Sequence, residues 1–103
     1  MKVWMLCEAF ALTVGVSEIR ESLTPWCIPC ESRNAAMRRL RECVKDRVGE
    51  NYEGADNVDE AVRSDIREVL GNPLKLGRGI WRYSYSAGDR AVVWRVYPCE
   101  VTR

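Results

Sequence analysis

Histidine and glutamine are missing from the 103 residues, phenylalanine occurs once, and the charges nearly cancel at sixteen basic against fifteen acidic side chains. Without histidine there is no imidazole to act as a general base, so any proton transfer falls to Tyr, Glu or Lys. A metal site loses its usual nitrogen ligand. A net charge of +1 argues in bulk neither for nucleic acid nor for an acidic ligand, and only local clustering can do so. No apolar run reaches the ~20 residues of a membrane-spanning helix, so no membrane role is expected. Abundant charge with no glutamine is a thermophile-like composition.

Five cysteines, an odd number, suit a secreted disulfide scaffold poorly. The stretch Met1 to Val16 has the outline of a secretory leader, but Glu8 breaks its apolar run and no small-residue cleavage site follows cleanly. Read as a buried strand, it implies a cytoplasmic protein with reduced thiols by default, although hyperthermophiles do keep intracellular disulfides.

The length fits a single domain, 1–103. In residues 2–14, Val3, Met5, Cys7 and Ala9 alternate with Trp4, Leu6, Glu8 and Phe10. Both sets are largely apolar, as in a strand covered on both faces. Gly15 to Ser32 carries Pro25 and Pro29 and lacks a period; a loop is predicted, with a short helical turn at Ser17 to Leu23. Glu31 to Val48 is predicted helical, with Met37, Leu40, Val44 and Val48 on one stripe. A second helix should start at an Asn57 cap with Glu60 closing a capping box, and stop at Gly71. Gly79–Ser86 and Ala91–Tyr97 are predicted strands joined by a hairpin turn, with Pro98 ending regular pairing. The expected fold is α+β: a helical hairpin packed on a small antiparallel β-sheet, in the order β-α-α-β-β. Trp4, Leu6, Met37, Leu40, Val44, Val62, Ile66, Val69 and Trp94 should share its core.

Cys27-Ile28-Pro29-Cys30 follows Trp26 and precedes a predicted helix. A helix N-terminus lowers a nearby thiol's pKa through its unpaired N–H groups. The stretch resembles the thioredoxin active site, which implies Cys27 as nucleophile, Cys30 as resolving thiol, and Pro73 in the place of the family's cis-proline. A structural Cys27–Cys30 disulfide or two reduced loop thiols are the plainer readings. One Cys-x-x-Cys is also half a tetrahedral zinc set, but Cys7, Cys43 and Cys99 form no second close pair. Cys7 and Cys43 read as small hydrophobes. No metal or cofactor is called for.

A second resemblance covers residues 65–97. Asn72-Pro73, Gly79-Ile80-Trp81-Arg82, Gly88-Asp89-Arg90 and Val92-Val93-Trp94 resemble the RelE/ParE toxin superfamily, in which a helical hairpin ends at an Asn-Pro loop and a β-hairpin follows. Here Arg90 follows Asp89 directly, without the residue the family usually places between them, and the chain lacks the further strand that often carries catalytic groups. The resemblance implies action on RNA or the translation machinery, with or without catalysis, and RNA, the ribosome, a cognate antitoxin or a second copy as partners. Lys75, Arg78, Arg82, Arg90 and Arg95 on or beside the hairpin are the candidate phosphate contacts, with Tyr83, Tyr85 or Tyr97 as stacking platforms. The first helix is the other basic element, with Arg33, Arg38, Arg39, Arg41, Lys45 and Arg47. Solvated faces and a core-facing aromatic row are the structural alternatives.

Overall fold

The computed structural model describes residues 2–14, 18–21, 26–87 and 90–100. They form an α+β fold in which two helices lie on one face of an antiparallel sheet. In chain order the elements are β1 (Lys2–Val14), β2 (Glu18–Glu21), β3 (Trp26–Cys30), α1 (Arg33–Asn51), α2 (Asp59–Gly71), β4 (Leu74–Gly77), β5 (Ile80–Ala87) and β6 (Arg90–Glu100). The sheet order is β2-β1-β6-β5-β4, with β3 also paired to β1.

The long β1 sets this arrangement. One of its edges pairs with β6 from Lys2↔Glu100 to Leu12↔Arg90. The other is shared between β3, at Trp4 to Glu8, and β2, at Ala11 to Val14. The predicted loop therefore contains two strands, and β2 occupies part of the predicted helical turn. β3 includes a proline because it pairs only with β1, so Pro29 can face an unpaired edge. Pro98 likewise does not end pairing: it lies opposite Trp4, beyond the last β5 partner at Val96, where a missing N–H leaves no bond unmade.

Ser32 caps α1, its hydroxyl accepting from the Ala35 amide at 3.1 Å. The second helix begins differently from its prediction. Val58 is its N-cap and makes no side-chain cap bond, while Asn57 stands just outside with φ +56°. An Asn tolerates that left-handed conformation, so the residue serves the turn rather than the cap. At the other end Asn72 Nδ2 donates to the Glu68 carbonyl at 2.8 Å.

Helix α1 lies over β1, β6 and β3, and α2 over β5. Between them, Leu6, Ala36, Leu40, Val44, Val48, Val69, Tyr83, Val92, Trp94 and Val96 are buried together, with Trp4, Met37, Val62 and Ile66 packed at the margin. The periodic stripes thus meet in the one core that they imply. The aromatic row Trp81, Tyr83 and Tyr85 belongs to this core rather than to an exposed platform. Leu40 is fully buried, so Leu40→Ala should cost about 2–5 kcal/mol, read as a lowered urea midpoint.

Candidate functional site

Glu8 is the one charged side chain buried among the described residues, 2% exposed at the centre of the sheet. Residues paired directly across a sheet share a face, which brings Trp26 of β3, Glu8 of β1 and Trp94 of β6 into one row. Trp94 Nε1 donates to Glu8 Oε2 at 2.8 Å, and Trp26 Nε1 donates to Oε1 at 3.1 Å. Arg47 of α1 completes the set, its Nη2 2.7 Å from Oε1. Its other nitrogen, Nη1, bonds Glu50, and its guanidinium lies 4.7 Å from the Phe10 ring centre. The bond to Glu8 holds the Arg47 guanidinium above its ordinary pKa. With both oxygens occupied, Glu8 is a structural tie between sheet and helix rather than a free acid or base.

The cysteines correct the sequence reading. Cys27 is bonded to Cys7, its direct cross-strand partner, and Cys30 is a free thiol. In a strand, side chains three positions apart point to opposite faces, so β3 directs Cys27 away from the helices and Cys30 toward the core, where it packs. The expected Cys27–Cys30 bridge cannot form from this geometry. Helix α1 starts after Ser32, so Cys27 lies outside its first turn and gains no thiolate stabilisation from it. The Asn72–Pro73 bond is trans. Cys7, expected to pack as a small hydrophobe, is a disulfide half. Cys43 does pack at the core margin, and burial raises its thiol pKa.

The hairpin arginines and the basic helix do not form one surface. Arg82 and Arg95 are register partners in the row that continues to Cys7 and Cys27, on the sheet face away from the helices. Arg82 Nε is buried there without a hydrogen-bond partner. Lys75 is directed to the opposite face, over the Trp81 ring at 5.7 Å. Arg78 sits exposed in the β4–β5 turn at φ +50°. The side chain of Arg90 lies outside the described residues.

Helix α1 sorts its cations by position. Arg39 pairs with Glu42, and Arg47 pairs with Glu8 and Glu50. Arg38, Arg41 and Lys45 are exposed and have no carboxylate partner among the described residues. Their spacing puts them on one side of the helix, lining a groove of about 600 Å³ together with Asn34, Met37 and Glu42 of α1 and Leu70 of α2.

A second, polar cleft of about 660 Å³ lies between α2 and β5. At its centre Tyr52 and Tyr85 both donate to Asp65 Oδ2, at 2.8 and 3.0 Å, and Asn51 Nδ2 donates to the Tyr85 oxygen at 2.9 Å. Burial, reinforced by the bond to Asp65, pushes the Tyr85 pKa from 10.0 up to about 12. A phenol whose folded pKa is raised contributes stability that is present below its unfolded pKa and lost as pH rises through the folded value. Stability should therefore fall between pH 10 and about 12, and less steeply in Tyr85→Phe. Ultraviolet titration should show the last phenolate to ionise disappearing in that variant.

No protein-family model, curated protein or solved structure matches the chain.

Proposed function

We propose that the chain is a RelE/ParE-like protein that acts on RNA or the translation machinery by binding rather than by cleavage. The observation that carries this reading is the cationic stripe of Arg38, Arg41 and Lys45, which make no ion pair among the described residues and line a groove whose carboxylate, Glu42, is paired with Arg39. Seven helical residues rise about 10 Å, a length over which one nucleic-acid strand presents about three phosphates. Guanidiniums are suited to such contacts because their donors match phosphate oxygens in pairs.

The motif residues that suggest the family hold structural positions. Asn72 ends α2, and Gly79 takes φ +77° at a point where an added Cβ would lie 3.4 Å from the Pro98 ring. Two carboxylates are committed to structural bonds: Glu8 accepts from three donors, and Asp65 from two phenols.

The test is binding of single-stranded RNA and of purified ribosomes across a salt series, followed by primer extension on translated mRNA. Salt-sensitive binding without new RNA ends is expected. No binding to either at low salt would overturn the reading, and new ends would replace binding by cleavage.

A further inference from the structure

Strand β5 is only partly covered by its outer neighbour. β4 pairs with it at Ile80 to Arg82, whereas β6 pairs with its other edge as far as Ala87. From Tyr83 to Ala87, alternate residues therefore turn an N–H and a C=O toward an edge that no described strand occupies. Edges are usually blunted by charge, proline or a bulge. The stretch Tyr83-Ser84-Tyr85-Ser86-Ala87 has no charge and no proline, and its register with β6 runs unbroken.

The polar cleft runs beside this edge, lined by Ser84 and Ser86 from β5 and by Asp65, Glu68 and Asn72 from α2. Two of the lining side chains are carboxylates and none is cationic. Asp65 is held in place by Tyr52 and Tyr85, and the Glu68 carboxylate is exposed with no partner among the described residues.

We propose that this edge accepts, by strand addition, an extended basic segment of a partner protein. The backbone of the segment would pair with β5, and every second side chain, a Lys or Arg, would enter the cleft toward Asp65 and Glu68. Charge complementarity selects this occupant. A second copy joined edge to edge would bring like-charged clefts together, and nucleic acid carries the wrong sign. The surface is separate from the cationic groove on α1, so this inference and the RNA reading stand or fall independently.

The test is selection from a displayed library of random short peptides against the intact chain. Enriched peptides should alternate Lys or Arg with apolar residues, and should slow amide exchange at the outward-facing positions between Tyr83 and Ala87. Glu68→Gln, a change at an exposed side chain, should weaken the best peptide about threefold, and Asp65→Asn with Glu68→Gln about tenfold. Methylating the pairing backbone nitrogens of that peptide should abolish binding. The inference is overturned by failure to enrich any peptide, by enriched sequences without basic residues, by exchange protection elsewhere, by indifference to Glu68→Gln, or by a dimer formed through this edge.

Discussion

Arg47→Met should cost about 3–5 kcal/mol of folding stability, the range for removing one partner of a buried ion pair. The asymmetry of the pair gives the reason. The Glu8 side chain is 1% exposed and that of Arg47 is 26% exposed. Loss of the guanidinium strands a carboxylate that water cannot reach, whereas loss of the carboxylate leaves an arginine that can still be hydrated. Glu8→Gln should therefore cost less, about 1–3 kcal/mol, because its amide oxygen can still accept from Trp94. The double variant Glu8→Gln with Arg47→Met should be more stable than Arg47→Met alone, since no charge is left buried. Urea unfolding of the four proteins closes the cycle. A loss under about 1 kcal/mol for Arg47→Met would mean that water reaches Glu8.

This tie was visible in the sequence only as an anomaly. Glu8 is the lone charge in the apolar run Val3 to Phe10, and the run itself gave it the meaning of a broken leader sequence. Its partners lie in three other elements, at sequence separations of 18, 39 and 86, so no local spacing could identify them. The core was legible for the opposite reason. Its stripes on α1, α2, β5 and β6 are periodic within single elements, and each period names its own buried face.

Residues 15–30 were the least legible because tertiary contacts make their strands. Trp-Cys-Ile-Pro-Cys has a proline and no alternation to mark a strand. It becomes β3 because the long β1 offers a second edge, and because Cys27 and Trp26 are fastened to Cys7 and Glu8. The same contacts undo the redox motif: pairing Cys27 with a cysteine twenty residues away takes it from Cys30. β4 carries little signal of its own: Leu74, Lys75 and Leu76 alternate, but three residues are too short a period to mark a strand. The basic residues were legible as types but not as a surface. The hairpin arginines and the first helix are separate basic elements in the sequence, and the sheet keeps them apart by facing Arg82 and Arg95 away from the helix.

Replacing Arg38, Arg41 and Lys45 together by Ala should lower RNA affinity about a hundredfold at 0.1 M salt. Each phosphate contact on a single strand contributes a slope of about −0.7 in log affinity against log salt. At 0.1 M that amounts to about 0.7 log units per contact relative to 1 M, so three contacts give about two log units. The salt slope itself should become shallower by about 2. The fold should survive, because all three side chains are exposed and alanine is the strongest helix former. Arg39→Ala is the control. It also removes one positive charge from α1, but Arg39 is paired with Glu42 at 3.5 Å, so its loss should change affinity much less than Arg41→Ala does. If bulk charge alone governed binding, the two single variants would be equivalent. Anisotropy titrations at several salt concentrations separate these outcomes. Equal losses for Arg39→Ala and Arg41→Ala would remove the stripe as a site, and an unchanged salt slope in the triple variant would place the phosphate contacts elsewhere on the chain.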